Sequence, residues 1–237
     1  MSSSDKSQRI NKYIAAAGIC SRRKAEELII KGRVKIDGKV INTPAINISS
    51  DNVVEVNDKV IKPLEKIRIW RYYKPVGLIT THHDPQGRET VFANLPDMPK
   101  VISIGRLDMN SEGLLILTNN GEFARKMELP ESKIERVYKV RAYGDTSYLL
   151  KFLTKNKTVK KINIAGITYR PKMIKLIKQG RTNSWFEVVL CEGKNREIRK
   201  IFSHFNLTVN RLIRTKYGKW ELDKLKPGEC LEEKSLK

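Results

Sequence analysis

A nine-residue stretch, GRLDMNSEG at residues 105–113, gathers the residue types in this sequence that could do chemistry. Its two carboxylates, Asp108 and Glu112, are four residues apart, with Arg106 before them and a glycine at each end. Four kinds of site use such residues: a calcium loop, a pair of acids that hydrolyses a glycosidic bond, a structural turn, and a reaction that needs a single carboxylate. Spacing and sequence context separate these alternatives.

The calcium loop and the acid pair are both disfavoured by spacing. An EF-hand-like loop that starts at Asp108 needs a bidentate glutamate at its twelfth position, where the sequence has Asn119. Two carboxylates four residues apart on a looped backbone have no geometric reason to meet at one bond, where they must be roughly 5 to 10 Å apart. A structural turn that ties Arg106 to Asp108 and a one-carboxylate site both stay open.

The segments around this stretch predict how it is held. VISIG before it and LLILT after it are apolar and β-branched, so Asp108 is expected on a loop that a sheet anchors at both ends. Further strand patterns are KIRIWRYY, RVYKVRAYG and WFEVVLCEG, and helical patterns are GEFARKMEL and NREIRKIFSHF. These predict an α+β domain with a strand-rich mixed sheet over residues 67–237.

The first 60 residues predict a separate small unit of two helices and a hairpin. Apolar residues recur at helical spacing from Ile10 to Ala17, and Ser21 can cap a second helix. Asp37-Gly38 is typical of a hairpin turn. A polar stretch near residues 58–66 predicts the linker, so the expected domains are residues 1–60 and 67–237.

The charge of the chain indicates a polyanionic partner. With 47 Lys and Arg against 26 Asp and Glu, the formal net charge is +21, which exceeds what ordinary surface solvation needs. Basic residues are dense in the first unit, where a mixed-sign surface would be the ordinary pattern. We therefore expect phosphate contacts from the following residues: Arg9, Lys12, Arg22, Arg23, Lys24 and Arg33.

Other classes of protein and site find little support. No run approaches the roughly 18 apolar residues of a membrane-spanning helix, and the three cysteines are scattered without a C-x-x-C pair. An unsecreted, cytoplasmic protein without a membrane partner is expected. His82, His83 and Asp84 are adjacent, but neighbouring histidines point in different directions, so we expect an RNA-contacting loop there rather than a metal site.

The quoted segments also carry a resemblance to known families. RINKYIAAAGICSRRKAEELIIKGRVKIDGKVI resembles the S4 RNA-binding domain. The rest of the chain resembles the pseudouridine synthases that modify bacterial ribosomal RNA and carry an S4 domain before their catalytic domain. Its motifs stand in family order: YYKPVGLITT, DPQGRETVFANLP, GRLDMNSEGLLILTNNGEFA, RVYKVRAYG and EGKNREIRKIF.

The resemblance implies isomerisation of uridine to pseudouridine in a structured stem-loop of ribosomal RNA. Asp108 would be the catalytic carboxylate, acting either as nucleophile at C1′ or as base at C2′, two routes that the sequence leaves open. Tyr138 would stack on the detached uracil and Arg199 would pair with Asp108. Lys74 and Arg106 are expected at the substrate and Arg88 at RNA. Nothing is oxidised, hydrolysed or phosphorylated, so neither a metal nor a cofactor is expected. A monomer is expected as a separate point.

Three segments of the sequence predict which ribosomal RNA is the target. ELPESKIERVYKV, SWFEVVLCEGKNREIRK and NRLIRTKYG resemble the branch that modifies the large subunit, so 23S ribosomal RNA is the expected target and 16S the alternative. A ribosome-assembly factor that has the fold without the chemistry would share the charge. Such a protein has no reason to combine Asp108 with Tyr138 and Arg199.

Overall fold

The computed structural model describes residues 7–63, 66–154 and 161–234, and these fold as two compact units. The first comprises the described residues up to Arg68 together with Pro99–Val101 and Asn119–Gly121. The second comprises the described residues of Ile69–Met98, Ile102–Thr118 and Glu122 onward. The expected linker at residues 58–66 includes residues 64 and 65, which lie outside the described part.

The first unit has the two helices and the hairpin that its sequence predicts. Its elements are β1 (Gln8–Arg9), α1 (Ile10–Ala16), α2 (Arg22–Ile30), β2 (Val34–Ile36), β3 (Lys39–Ile41), β4 (Asn47–Ile48), β5 (Val54–Val56) and β6 (Lys59–Ile61). The Ser21 hydroxyl accepts a hydrogen bond from the Lys24 amide at 3.3 Å and so caps α2. The β2–β3 turn has positive φ at Asp37 (50°) and Gly38 (76°), as a two-residue hairpin requires.

The apolar faces of α1 and α2 form the core of this unit. Ile10, Ile14, Ala25 and Ile29 are fully buried and pack with Val34 of β2. Strands β2, β3, β5 and β6 form one antiparallel sheet in the order β3-β2-β5-β6. Arg22, Arg23 and Lys24 of α2 are exposed and lie away from this core, so one side of α2 stabilises the fold and the other faces solvent.

The second unit is built on a large mixed sheet. Its elements are β7 (Ile69–Lys74), β8 (Ile102–Ile104), β9 (Glu112–Thr118), α3 (Gly121–Glu128), β10 (Arg136–Tyr143), α4 (Ser147–Thr154), β11 (Ile162–Ile164), β12 (Ile167–Tyr169), β13 (Met173–Lys178), β14 (Asn183–Leu190), α5 (Glu197–His204), β15 (Thr208–Tyr217), β16 (Trp220–Glu221) and β17 (Cys230–Glu232). The sheet order is β13-β14-β10-β15-β9-β7-β17, and only β15 and β9 pair in parallel among these described neighbours.

The two faces of this sheet have different coverings. Leu114 and Ile116 of β9 pack with Ala124 of α3 on one face. On the opposite face Phe186 of β14 meets Phe202 of α5 edge to face, with ring centroids 5.2 Å apart. All seven residues of β9 are buried, because helices or loops cover it on both sides. The strand that follows residues 105–111 is thus buried on both faces of the sheet.

The predicted fold class is confirmed, and the strand and helix patterns quoted from the sequence all fall on described elements of that type. The sequence reasoning did not identify β15, the ten-residue strand that pairs with both β9 and β10. Two bulges interrupt its pairing with β10, so its inward and outward residues do not alternate regularly. No helix in the described part of the chain is long and apolar enough to cross a membrane.

Candidate active site

Asp108 lies on the loop between β8 and β9, as its flanking strands predict. Gly105 opens the loop with φ of 69°, and the Ser111 amide closes it by donating to the Asp108 carbonyl at 3.0 Å. The Asp108 side chain is 37% exposed, so its carboxylate is reachable from solvent while its backbone is held. A reactive group on a rigidly anchored loop fits a catalytic role.

Lys74 holds this loop from beneath. Its side chain is fully buried, and Nζ donates to the carbonyls of Pro75 (2.8 Å), Ser111 (2.8 Å) and Met109 (3.4 Å). An ammonium has three protons, so all three are used by backbone. Lys74 thus lies under the loop with its protons directed at backbone carbonyls, and its predicted contact with substrate stays a prediction.

Arg199 of α5 fixes the other side of the loop. Its Nη2 donates to the Asn110 carbonyl at 2.8 Å and its Nη1 to the Val209 carbonyl at 2.9 Å. These bonds tie α5 and β15 to the residues just after Asp108. Among the described residues Arg199 forms no ion pair with the Asp108 carboxylate, so the predicted direct pairing is not present in this structure and the bonds to the two carbonyls stand in its place.

Arg196 is the arginine that reaches the carboxylate. Its Nη1 is 4.0 Å from Oδ2 of Asp108, and its side chain is 49% exposed. Its backbone is in the left-handed region, with φ of 51° and ψ of 32°, at the first turn of α5. That conformation costs a non-glycine residue about 1 to 2 kcal/mol, and such cost is typical of functional positions. The sequence reasoning did not single out Arg196, which precedes α5, and the one signal for it was its place three residues before Arg199.

Glu112 is separated from Asp108 by the sheet itself. Successive residues of a strand point to opposite faces, and register places Glu112 on the face of Tyr73 and Arg211, opposite to that of Gly113 and Lys74. Tyr73 donates to Oε2 of Glu112 at 2.8 Å, and Arg211 donates to both of its oxygens, at 2.7 Å and 3.3 Å. The structure does not favour an acid pair at one bond.

Glu112 is held in a network of hydrogen bonds with Tyr73 and Arg211. Burial of Glu112 raises the pKa of its carboxyl, whereas the hydrogen bonds from Arg211 and Tyr73 lower it. Together these bonds and the nearby cations outweigh burial, so the pKa of Glu112 is below its usual value. Burial and the bond to Glu112 raise the pKa of Tyr73 to about 12. Glu112 is therefore a buried anion with satisfied oxygens, and its removal would cost more than a surface contact.

Tyr138 lies on the same face of the sheet as Lys74 and in the same cross-strand row. It is directly opposite Arg214 of β15, which pairs with Gly113 of β9, which in turn pairs with Lys74 of β7. The Tyr138 ring is 8% exposed and lies on the face that α5 covers. Its predicted stacking role stays a prediction, and its position on this row supports it.

Gly113 has a conformation that no other residue could take here. Its φ is 106°, and a Cβ at this position would be 2.3 Å from the Arg214 carbonyl oxygen. The close approach of β9 and β15 therefore requires glycine at the second residue of β9. This explains the second glycine of GRLDMNSEG by packing rather than by chemistry.

The remaining predicted contacts are divided between free and engaged side chains. Arg106 is exposed, and so are Arg9, Arg22 and Arg23 of the first unit. Lys24 pairs with Glu27 at 2.8 Å, Arg33 donates to Asn57 at 2.8 Å, and Lys12 is half-buried with a partner of its own. All of these assignments to RNA stay predictions, with the free guanidinium groups best placed for phosphate.

The loop with His82 and His83 is stabilised internally. Arg88 donates from Nη2 and Nε to the two oxygens of Asp84, at 2.7 Å and 3.0 Å, and these bonds lower the pKa of Asp84 to about 2. The His82 ring stacks on Phe92 with centroids 3.6 Å apart. Arg88 therefore shapes its own loop first, and its half-exposed guanidinium is still accessible for the predicted contact with RNA.

Lys74 predicts a pH dependence of catalysis. Burial lowers its pKa to about 8, although the nearby carboxylates of Asp108 and Glu112 raise it. Above pH 8 the neutral amine has two protons for three carbonyls, so we expect the single-turnover rate to fall by about tenfold, equivalent to roughly 1.4 kcal/mol. The folded pKa is below the unfolded value of 10.5, so this group alone makes stability rise with pH across that window.

Rate and melting temperature measured from pH 7 upward test this, since the two should change in opposite directions. In Lys74→Met protein the rate should be low and without a transition near pH 8. A transition that survives in this variant would assign the titration to another group.

Comparisons with known proteins agree with these observations. A model of the RNA pseudouridylate synthase family matches residues 68–204, and a model of the S4 domain matches residues 8–54. The chain is 58% identical over 225 residues to a Rickettsia felis protein named an uncharacterized RNA pseudouridine synthase, covering 95% of this chain and 96% of that protein. It is 38% identical over 241 residues to ribosomal large subunit pseudouridine synthase B of Vibrio cholerae, covering 98% and 73%.

Solved structures with the same fold are also known. A crystal structure of a pseudouridylate synthase has a TM-score of 0.62 at 24% identity and covers 95% of this chain and 96% of that one. A structure of an H/ACA RNP bound to a substrate RNA containing 2′-deoxyuridine has a TM-score of 0.51 at 17% identity, covering 66% of this chain and 49% of that one. At these identities the likeness concerns the fold.

Proposed function

Because the chain belongs to the family of RNA pseudouridine synthases, we propose that it isomerises a uridine of large-subunit ribosomal RNA, with Asp108 as the catalytic carboxylate. The observation that carries the assignment of the residue is the loop: a half-exposed carboxylate followed by backbone carbonyls that Lys74 and Arg199 hold by hydrogen bonds. The proposed place of action is the cytoplasm, and the proposed acting form is a monomer.

The reaction breaks the C1′–N1 bond, turns the uracil and joins C5 to the same C1′, and because C5 gives up a proton while N1 gains one, the net change is an isomerisation. Asp108 would either bond to C1′ as the base leaves or take the C2′ proton, and both routes need a fixed anion at the sugar. Clamping by Lys74 and Arg199 supplies that position before substrate arrives. The bond changes involve no redox step or external nucleophile, so the proposed mechanism uses no cofactor.

Binding of the surrounding RNA has to provide the energy for extruding the target base. Flipping a nucleotide from a helix costs a few kcal/mol, and phosphate contacts across a strongly basic protein can supply it. Once the base is out, the Tyr138 ring is placed on the row that leads to the Asp108 loop, where it could hold the detached uracil during its rotation. The proposed mechanism thus assigns the anion at the sugar to Asp108 and the hold on the detached uracil to Tyr138.

The direct test of the proposed function uses both ribosomal RNAs. Purified protein is incubated with unmodified 23S and 16S transcripts, and pseudouridines are mapped along each. The proposal expects one site or a few in 23S RNA and none in 16S. Modification of 16S RNA alone would replace the large-subunit target by the small-subunit alternative, and the absence of pseudouridine in both, with folded protein, would contradict the proposed substrate.

The first unit predicts a separate effect on RNA affinity. Arg9, Arg22 and Arg23 are exposed, and their guanidinium groups have no ion pair among the described residues. Changing all three to glutamine should therefore leave stability nearly unchanged. The slope of log affinity against log salt should become shallower by about 0.7 to 0.9 for each phosphate that the protein no longer neutralises.

The matched control removes the same charge from exposed lysines of the second unit: Lys126, Lys224 and Lys226. If the two triple variants change the salt slope equally, the effect is one of net charge alone and the first unit has no special role in binding RNA.

A further inference from the structure

The large sheet has an open face that the proposed mechanism does not use. Along β10 the residues alternate: Tyr138, Val140 and Ala142 are buried on the α5 side, whereas Lys139, Arg141 and Tyr143 are not. Lys139 and Arg141 are exposed, and Tyr143 is 56% exposed. On β14 the same alternation leaves Trp185 half-buried on the open side.

Register brings these side chains together across four strands. Arg141 is directly opposite Trp185 of β14 and directly opposite Arg211 of β15. Trp185 is in turn opposite Lys178 of β13. We name this surface the outer sheet face and define it by the following residues: Lys139, Arg141, Tyr143, Lys175, Lys178 and Trp185.

Its charge is unbalanced in a way that costs stability. Like charges directly opposite each other on neighbouring strands are destabilising, and Arg141 faces Arg211. Arg211 is neutralised by Glu112, but the Arg141 guanidinium has no hydrogen bond or ion pair with any described residue. Glu187 is the acidic residue on the same rows, between Lys139 and Lys175, and it forms no described ion pair. An anion from outside would relieve the repulsion at Arg141.

The aromatic residues narrow the kind of anion. Tyr143 is two residues from Arg141 on the same face, and Trp185 is across the strand from it, so two rings flank one guanidinium. Solvent-accessible aromatic rings on a sheet, with cations between them, are an arrangement that stacks unpaired bases and holds the phosphates that join them. At the neighbouring strand end the Asn183 and Asn210 amides are hydrogen-bonded to each other at 2.6 Å.

We propose that the outer sheet face is a second RNA-contacting surface, which holds a single-stranded segment by stacking on Trp185 and Tyr143 and by phosphate contacts from Arg141 and its basic neighbours. It rests on the proposed function only in that the ligand is RNA. A second copy of the chain does not fit, since a two-fold contact would place the same positive charges against each other. The surface is on the opposite side of the sheet from Tyr138, so it would bind RNA flanking the target.

The tryptophans of the protein allow a site-resolved test. Trp70 and Trp220 are 4% and 5% exposed, whereas Trp185 is half-buried, so a base stacked on the outer sheet face should quench mainly Trp185. The probe is an oligouridine of about ten nucleotides, within the site sizes of single-strand binders. Saturable quenching is expected in the parent and should be lost in Trp185→Phe protein. Absence of quenching in the parent, or its persistence in the variant, would overturn the proposal.

A charge reversal tests the phosphate contacts. Arg141→Glu should weaken binding of the modified ribosomal RNA by about tenfold or more and make the salt slope shallower, while the single-turnover rate on saturating RNA stays unchanged. Lys126→Glu, an equal charge change on α3, is the control. Equal loss of affinity in the two variants would reduce the effect to net charge and would count against the outer sheet face.

The two proposals fail in different ways. Protein that makes no pseudouridine but shows both the Trp185 quenching and the Arg141 effect would contradict the proposed function and leave the outer sheet face in place. If Arg141→Glu protein modified 23S RNA with the parental affinity and rate, the result would contradict the role of the outer sheet face and leave the proposed function in place.

Discussion

Asp108→Asn protein is expected to bind its target RNA and to make no pseudouridine. The amide has nearly the size of the carboxylate, but it can act neither as nucleophile at C1′ nor as base at C2′. The loop is held through backbone carbonyls by Lys74 and Arg199, so its position does not depend on the charge of residue 108. Affinity should stay within about tenfold of the parent, or roughly 1.4 kcal/mol.

The control for this substitution is Asp97→Asn, an exposed aspartate of the same unit whose loss changes the net charge equally. It should have parental activity. Glu112→Gln is a poor control, because Glu112 is buried and bonded to Tyr73 and Arg211, so its loss is expected to lower stability. Pseudouridine formation by Asp108→Asn protein, shown by mass spectrometry to be free of deamidation, would remove Asp108 from the chemistry.

Much of the architecture could be predicted because it depends on local signals. The Ser21 cap, the Asp37-Gly38 turn and the apolar runs of β8 and β9 each specify their structure within a few residues. The position of Asp108 on an anchored loop followed from those two strands alone. Such features need no knowledge of which strands become neighbours.

Features that depend on strand order could not be predicted in the same way. Lys74 ends a strand whose sequence is ordinary, and only the pairing of β7 with β9 places it beneath the loop. Glu112 is bonded by Arg211 of β15, and β15 was not recognised in the sequence because two bulges and the buried Arg214 break its strand pattern. A sequence pattern shows which face a residue takes, but it does not show what comes to lie against that face.

The two arginines of α5 should have very different effects on turnover, and Arg199 should have the larger one. Arg199→Ala leaves the Asn110 and Val209 carbonyls without charged donors, and hydrogen bonds of that kind contribute about 1.5 to 3 kcal/mol each. Since a shift of 1 Å at a reacting group can cost about a hundredfold, the single-turnover rate should fall by roughly that factor. RNA affinity should change little, because Arg199 is directed at backbone carbonyls rather than at phosphate.

Arg196→Ala should cost much less, since a half-exposed pair at 4.0 Å contributes only about 0 to 1 kcal/mol. Its rate should fall by no more than about fivefold, and Arg196→Lys should recover most of the loss because the charge is kept. Affinity and single-turnover rate measured separately for each variant decide between the two roles. If Arg196→Ala lowered the rate more than Arg199→Ala, Arg196, at 4.0 Å from the carboxylate, would be the functional partner of Asp108. Weak binding by Arg199→Ala protein with a normal rate on saturating RNA would instead make Arg199 a phosphate ligand.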